Sequence, residues 1–307
     1  MAVDAQGRLA AFAAAKINLT LRVGQRRPDG YHDIESLVVF ADLGDALLLT
    51  PGETLRLSTG GETAADAGDI AGNLVLKAAR ALLSDAVDLR VGHFHLTKRL
   101  PVAAGLGGGS SDAAAALRLL AEVNGIPIGD SLLMAAARKT GADVPVCLDP
   151  RPRIMRGIGD VLSAPLGLPP LYAVLVNPRI PVPTAQVFAA RADNSVMREA
   201  PAPHSDPASV LVETTATPAA IDLIAAVAES SNDLEAPALA LFPPVGDVLM
   251  ALRTAKGCML ARMSGSGGTC FGLFGDAAAA DAAARELEHA RPQWWIRAAM
   301  LGPGAPR

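Results

Sequence analysis

Residues 101–112 read Pro-Val-Ala-Ala-Gly-Leu-Gly-Gly-Gly-Ser-Ser-Asp, and an alanine- and leucine-rich run follows directly as far as Leu120. Four glycines in positions 105–109 let backbone N–H groups turn toward an anion at close range. The positive end of a following helix favours the same anion. The sequence therefore predicts a phosphate-binding turn that leads into a helix from about Ser110 to Val123.

A simpler interpretation of this stretch is a flexible loop in which Ser or Asp caps the helix and no ligand binds. The number of glycines exceeds what capping requires, which favours the phosphate site. Two better-known glycine motifs are excluded. The pattern GxGxxG from Gly105 would need glycine where Ser110 stands, and GxxxxGK[ST] does not occur in the sequence. The failed spacing argues against a nicotinamide-dependent dehydrogenase.

The flanking segments predict alternating strands and helices. Apolar alternation over 17–23 and a Pro-Asp-Gly turn at 28–30 predict a β-hairpin-like start, and 50–69 predicts two short strands with a loop. Further strands are predicted over 91–96 and 171–176, a strand-loop-strand over 259–274, and helices over 73–83, 131–139, 219–229, 244–255 and 276–290. Residues 191–218 predict a long surface excursion. A Pro- and Gly-rich stretch places a domain boundary near 155, giving parts 1–155 and 156–307.

The composition excludes several classes of protein. The chain has 307 residues, of which 50% are hydrophobic and 19% charged, so a disordered chain is excluded. A net charge of -4 with scattered Lys and Arg gives no footprint for nucleic acid or an anionic membrane. Three cysteines are present, at 147, 258 and 270. They are odd in number, far apart and flanked by apolar residues, so neither a disulfide framework nor a CxxC metal pair is expected. Without an apparent signal peptide or spanning segment, a cytoplasmic location is expected.

Other short elements could carry chemistry, and each has a plainer interpretation. Lys16 at the start of an apolar strand could be a solvated end, and Asp143 could be an ordinary turn residue. The pair Tyr31-His32 follows a turn and could simply be exposed. A second glycine-rich turn at 263–269 could be a tight hairpin.

Taken in order, these elements resemble the GHMP superfamily of small-molecule kinases. The resemblance rests on Ala-Lys-Ile-Asn-Leu at 15–19, Arg-Pro-Asp-Gly-Tyr-His at 27–32, the glycine stretch, Gly-Ala-Asp-Val-Pro at 141–145 and the late glycine turn. It covers most of the chain. It implies an α+β fold with a ribosomal-protein-S5-like N-terminal domain, a ferredoxin-like C-terminal domain and an active site in the cleft between them.

The resemblance also implies a reaction. The first, second and fourth of these motifs are similar to those of the family branch that transfers the γ-phosphate of ATP to the C2 hydroxyl of a cytidine-diphosphate-linked methylerythritol. That branch serves non-mevalonate isoprenoid biosynthesis. Magnesium is expected to accompany ATP, and its protein ligands are left unknown. The partner expected is thus a small molecule, and the chain could be a monomer or a homodimer.

The resemblance assigns roles to matching residues. Asp143 would take the proton of the attacking hydroxyl, and Lys16 would keep Asp143 ionised and stabilise charge on the reacting oxygens. ATP would contact Asn73 and the glycine stretch, namely Pro101, Val102, Ala103, Ala104, Gly105, Leu106, Gly107, Gly108, Gly109, Ser110 and Ser111. The substrate would contact Asn18, Tyr31, His32, Lys98 and Thr184.

Two alternative functions remain open, and the glycine stretch differs from the family pattern at two positions. A kinase for mevalonate- or homoserine-type substrates would share the phosphate machinery, but such substrates carry no base for Tyr31 to stack on. A non-catalytic nucleotide-binding module would have no need of both Lys16 and Asp143. Ala103 and Ala104 stand where many family members have glycine, so the loop is expected to differ slightly if either position needs a positive φ.

Overall fold

A computed structural model describes residues 2–3, 7–86, 88–194 and 206–302. Strands and helices alternate along the chain, and the fold is the mixed α+β arrangement that the sequence predicts. The strands are β1 (Ala2–Val3), β2 (Leu9–Asn18), β3 (Arg22–Arg26), β4 (His32–Gly52), β5 (Arg56–Gly60), β6 (Val91–Thr97), β7 (Arg153–Gly157), β8 (Val161–Leu162), β9 (Leu171–Asn177), β10 (Cys258–Met263), β11 (Cys270–Phe274) and β12 (Trp295–Leu301).

The helices follow the predicted pattern with four additions. They are α1 (Leu74–Asp85), α2 (Gly108–Asn124), α3 (Ser131–Thr140), α4 (Val144–Leu148), α5 (Thr184–Asn194), α6 (Pro207–Thr214), α7 (Ala220–Glu229), α8 (Glu235–Leu241), α9 (Pro243–Thr254) and α10 (Ala277–Ala290). The predicted helices at 73–83, 110–123, 131–139, 219–229, 244–255 and 276–290 are confirmed within two residues. Helices α4, α5, α6 and α8 were not predicted.

The N-terminal half is built around the long strand β4. Antiparallel partners β2, β3, β6 and β7 all pair with it, and β5 joins β6 in parallel. The expected pair of short strands over 50–69 is therefore wrong, because the first segment is the end of β4 and the second pairs with β6. Helices α1 to α4 cover one face of this sheet and bury a core of small and branched apolar side chains.

An irregularity in the β2–β4 pairing lies directly beside Lys16 of β2. The register is regular up to Ala14 opposite Gly44 and resumes with Lys16 opposite Phe40, so several residues of β4 face Ala15 alone. Bulges of this kind bend a strand and re-aim the side chains next to them. Here the bulge directly precedes Lys16.

The C-terminal half is a four-stranded antiparallel sheet in the spatial order β12-β9-β11-β10. Helices α9 and α10 pack on it, which gives the βαββαβ arrangement of a ferredoxin-like fold. One link to the first sheet is the pairing of Leu301 in β12 with Ala41 in β4. Backbone hydrogen bonds also join the two halves elsewhere, as at the isolated bridge between Leu21 and Asn232.

The segment after β9 corrects one prediction. Residues 191–218 were expected to form a surface excursion, but α5 continues to Asn194, and α6 is held by a fully buried N-cap, Asp206, whose carboxylate accepts from Ser209 N. The sequence did not predict α6, because the segment is polar in composition and the buried face of the helix includes small residues such as Ala208. The part of this expectation that falls on 195–205 lies outside the described residues.

The domain boundary expected near 155 falls inside a strand. Residue 155 belongs to β7, which pairs with β4 over 153–157 and with β8. A division that respects these pairings falls between β8 and β9. Among the described residues, no helix is long and apolar enough to cross a membrane.

A shared core joins the two halves. Ile17, Leu37 and Leu106 of the first half pack in one cluster with Leu175 and Trp295 of the second. Trp295 is 1% exposed, and its indole Nε1 donates to the carbonyl oxygen of Arg99 at 3.2 Å. Burial of this cluster requires both halves to be folded and docked.

Trp295→Ala is expected to lower the free energy of unfolding by about 3–5 kcal/mol, because it leaves a large cavity at the junction. Denaturant unfolding followed by circular dichroism measures this loss. The neighbouring Trp294→Ala is the matched control, since Trp294 is only partly buried and should cost clearly less. Equal losses for the two tryptophans would contradict the shared core.

Candidate active site

One large cavity opens between the two halves, with a volume of about 1020 Å³. The predicted site residues that line it are Lys16, Asn18, Tyr31, His32, Asn73, Lys98, Pro101, Val102, Ala103, Ala104, Gly105, Gly107, Gly108, Gly109, Ser110, Asp143 and Thr184. The structure thus brings together residues that are as much as 168 positions apart in the sequence, from Lys16 to Thr184. Leu106 and Ser111 are the two predicted residues outside the lining. The Leu106 side chain is in the core, and the Ser111 hydroxyl donates to Ala14 O at 2.7 Å.

The glycine turn leads directly into α2, as predicted. Gly107 precedes the helix with φ of 61°, a left-handed conformation, and no side chain of the described residues caps it. The alternative of a Ser or Asp cap is therefore wrong, because Ser110 lies within the first turn. A helix start without a side-chain cap leaves its first backbone N–H groups available to an anion.

Lys16 is packed against this turn. Its backbone N–H donates to Leu106 O at 2.8 Å, and a Cβ added at Gly107 would lie 3.0 Å from the Lys16 Cβ. Glycine at 107 is thus required by both its conformation and its neighbour. The contact sets the lysine side chain beside the N-terminus of α2.

Lys16 and Asp143 form an ion pair inside the cavity. The distance from Nζ to Oδ1 is 2.8 Å, and the lysine side chain is 5% exposed while the aspartate is 40% exposed. Asp143 directly precedes α4, at the end of the turn that Gly141 begins. A carboxylate that is open to the cavity, with a buried ammonium group holding one of its oxygens, can accept a proton from a bound hydroxyl.

Three aromatic side chains, Tyr31, His32 and Phe188, also line the cavity. Tyr31 is 55% exposed, and His32 Nδ1 lies 3.1 Å from Gly24 O. The ring of Phe188 in α5 is 5.3 Å from that of His32, with an interplanar angle of 36°. Three rings around an open space suit a planar, aromatic part of a ligand.

The second glycine turn closes the cavity from the C-terminal half. Ser264 is fully buried; its Oγ accepts from Asn18 N at 3.1 Å and donates to Gly105 O at 3.0 Å. Thr269 N donates to Ala104 O at 2.9 Å. One hydroxyl therefore ties β2, the first glycine turn and the second glycine turn together.

Three predicted residues have partners that sequence reasoning did not foresee. Thr184 begins α5, and its hydroxyl bonds Ser266 Oγ at 2.7 Å. Asn18 donates from Nδ2 to Ser36 Oγ at 2.7 Å. The ammonium group of Lys98 donates to both Asp45 and Asp112, so this lysine is engaged within the protein.

The loop itself departs from one expectation. Ala103 has φ of 51°, so alanine does adopt the left-handed conformation here, and the loop has not changed its geometry to avoid it. Left-handed backbone costs a residue with a Cβ about 1–2 kcal/mol. The contacts of Ala104 and Gly105 with the second glycine turn hold the loop in place against this cost.

Among the described residues, no group of three or more His, Cys, Asp or Glu side chains could hold a metal ion. Mg²⁺ commonly binds through substrate phosphates and water, which requires no such group.

Comparisons with known proteins agree with this geometry. Residues 73–149 match the family model of the GHMP kinases N terminal domain, and residues 217–292 match that of the GHMP kinases C terminal. A 4-diphosphocytidyl-2-C-methyl-D-erythritol kinase of Methylobacterium radiotolerans is 55% identical, covering 95% of this chain and 99% of its own length. That of Rhodopseudomonas palustris is 53% identical, covering 94% of this chain and 96% of its own.

The chain belongs to the 4-diphosphocytidyl-2-C-methyl-D-erythritol kinase family of the GHMP kinases. A crystal structure of a 4-(cytidine 5'-diphospho)-2C-methyl-D-erythritol kinase is 34% identical, with a TM-score of 0.73 and coverage of 96% of this chain and all of that one. A homoserine kinase from Cytophaga hutchinsonii, at 19% identity and a TM-score of 0.69, shares the fold. The family and fold expected from the sequence are confirmed.

Sequence reasoning gave no site role to two residues of the cavity. Phe188 lines it, and so does Asp112, which pairs with Lys98. Phe188 lies four residues after Thr184, at helical spacing, so recognition of α5 would have placed it beside the cavity. Asp45 carried no signal, because only the pairing of β4 with β6 brings it to Lys98.

Ser264→Ala is expected to lower the free energy of unfolding by about 1–3 kcal/mol, because it leaves buried polar partners unsatisfied. Thermal and denaturant unfolding measure the loss. Ser266→Ala is the matched control: its hydroxyl bonds Thr184 at an exposed position, so stability should hardly change. A Ser264 variant as stable as the Ser266 variant would argue against the three-way tie.

Proposed function

We propose that this chain transfers the γ-phosphate of ATP to the C2 hydroxyl of 4-diphosphocytidyl-2-C-methyl-D-erythritol, giving the 2-phosphate and ADP. The observation that carries the proposal is the Lys16–Asp143 ion pair, 2.8 Å long, beside the uncapped start of α2. The same cavity holds rings that suit a nucleobase. The names of the curated relatives support the choice of substrate.

In the proposed reaction Asp143 accepts the proton of the C2 hydroxyl. The oxygen then forms a bond to the γ-phosphorus, the bond from that phosphorus to the β,γ-bridging oxygen breaks, and ADP leaves with the electron pair. Lys16 holds the carboxylate through the ion pair and would face the oxygens on which charge develops. Phosphoryl transfer depends mostly on placement and on neutralising charge, which is what this pair and the helix start provide.

Binding is assigned to the two ends of the cavity. The polyphosphate would lie on the backbone of Gly105 to Ser110, with adenine near Asn73 and Mg²⁺ carried on the phosphates. The cytidyl group would lie at Tyr31, His32 and Phe188. Asn18 and Thr184 would face the methylerythritol, and Lys98 would act by holding Asp112 and Asp45.

The two parts of the fold would have different roles. We propose that the N-terminal part, about 1–155 extended through β8, carries ATP and the reacting pair. The C-terminal part, from β9 onward, would close the site with Ser264 and α5. The enzyme would act in the cytoplasm, in agreement with the unpaired thiols of Cys147, Cys258 and Cys270, as a monomer or homodimer in non-mevalonate isoprenoid biosynthesis.

A coupled ADP-release assay on three acceptors tests the substrate. Turnover is expected with 4-diphosphocytidyl-2-C-methyl-D-erythritol and not with mevalonate or homoserine, because these carry no base to occupy the ring end of the cavity. ATP without acceptor is the control. Preferred turnover of mevalonate or homoserine would overturn the proposal, and binding of ATP without turnover of any acceptor would favour a non-catalytic module.

Asp143→Asn is expected to lower kcat by about 10²–10⁴-fold, since it removes the proton acceptor and keeps the shape. The Kd for ATP, measured by calorimetry, should stay close to that of the wild type, because the glycine turn is untouched. Asp149→Asn, a carboxylate six positions along the chain that pairs with Arg151 and Arg153, is the control and should retain turnover. Wild-type kcat in the Asp143 variant would remove this residue from the mechanism.

A further inference from the structure

A buried cluster of three charged groups lies directly behind the phosphate-binding turn. Lys98, Asp45 and Asp112 are 4%, 0% and 2% exposed. The ammonium group of Lys98 contacts an oxygen of Asp45 and lies 2.8 Å from Asp112 Oδ2. With every group ionised, this cluster has one positive and two negative charges.

The two carboxylates of the cluster are not equivalent. Asp45 Oδ1 accepts from the backbone N–H groups of Arg99 at 2.5 Å and Leu100 at 2.9 Å, while Oδ2 accepts from Lys98. Asp112 has Lys98 on Oδ2, but its buried Oδ1 has no hydrogen-bond partner among the described residues. A buried charged oxygen without a partner is unfavourable, so Asp112 is the carboxylate that gains most from a proton.

The electrostatics point to the same carboxylate. Burial raises the pKa of Asp112 to about 7; Lys98 opposes this increase, and the charge of Asp45 adds to it. Burial acts to lower the pKa of Lys98, but Asp112 and Asp45 raise it above its ordinary value. Lys98 therefore stays charged, and the proton that moves is on Asp112.

The cluster lies close to the expected position of the phosphates. A Cβ added at Gly108 would be 3.5 Å from Lys98 Nζ and 3.6 Å from Asp45 Oδ2. Lys98 and Asp112 both line the cavity. Asp112 is in the second turn of α2, so its charge lies near the same helix start that would bind the anion.

Other charged groups on α2 and on the elements packed against it have partners of their own or are exposed, the latter including Arg138 of α3 and Glu122 of α2. On β2 Lys16 pairs with Asp143, and on α1 Lys77 donates to Thr140 O. On α3 Lys139 pairs with Asp85, while on α2 itself Arg118 donates to Phe12 O and Cys147 O. His93 and His95 of β6 are on its exposed face. The negative charge of Asp112 is thus stabilised by Lys98 and destabilised by the negative charge of Asp45.

We propose that Asp112 takes up a proton from solvent when the polyphosphate of ATP binds at the glycine turn. Protonation removes the negative charge that would repel the phosphates and makes the cluster neutral overall. The neutral carboxyl also becomes an O–H donor that lines the cavity. The inference rests on the proposed function only in placing ATP at this turn.

The direction of the pH dependence follows from linkage. A bound anion raises the pKa of Asp112 further, so binding takes up protons, and the affinity for ATP falls as the pH rises above about 7. The limiting slope is about tenfold in Kd per pH unit for one proton. Below the pKa of the free protein the carboxyl already carries its proton, and the affinity should level off.

Isothermal titration calorimetry tests the proposal on the full chain. ATP is titrated with excess magnesium, so that the nucleotide itself is fully ionised, in two buffers of different ionisation enthalpy. The wild type is expected to take up about half a proton per site at pH 7 and closer to one at higher pH. Asp112→Asn should bind ATP with no uptake and with a Kd that changes little with pH. Glu122→Gln, on an exposed position of the same helix, should behave as the wild type.

A second measurement applies if the Asp112 variant fails to fold. Infrared difference spectra of the wild type with and without ATP should gain the C=O band of a protonated carboxyl group. Absence of proton uptake by the wild type, absence of that band, or equal uptake in Asp112→Asn would overturn the inference. Binding of ATP without these proton effects would leave the proposed function standing, whereas no ATP binding would overturn both.

Discussion

The contact between Lys16 and the glycine turn is the constraint on which the rest of the site depends. The turn can approach the lysine so closely because Gly107 has no Cβ. The hydrogen bond from Lys16 N to Leu106 O fixes the position of β2 along the start of α2. The bulge before Lys16 re-aims its side chain toward Asp143. The glycine turn and the Lys16–Asp143 pair are thus parts of one rigid unit, which is what placement-dependent catalysis would require for the roles proposed.

Much of this unit could be predicted from sequence, because it consists of local patterns. The glycine stretch followed by an alanine-rich run predicts a turn and helix. The helix predicted from residue 73 is also present, with Asn73 as its cap, accepting from Val75 N. What sequence could not give is the pairing of distant strands. Asp45 meets Lys98 only because the adjoining residues of β4, 46–49, pair with β2 on one edge and with β6 on the other.

The misses in the C-terminal half have a different cause. The periodicity of α5 and α6 is weak, since their buried faces carry few large apolar residues and polar residues surround them. Because the composition of α5 resembles that of a loop, sequence reasoning did not predict this helix, which brings Phe188 to the cavity. Buried polar caps such as Asp206 are also invisible in sequence, where a lone aspartate near proline indicates a turn.

Charge is handled in the site by fixed dipoles and paired groups. Lys16 is committed to Asp143, and Lys98 to two carboxylates, so a polyphosphate would meet backbone N–H groups and a helix start more than unpaired cations. Fixed dipoles cannot reorganise when the anion arrives. The charge of a carboxylate, in contrast, can change when it takes up a proton. Asp112 has a buried oxygen without a hydrogen-bond partner in the described part of the chain and lies near the start of α2, so its protonation would directly affect a bound anion.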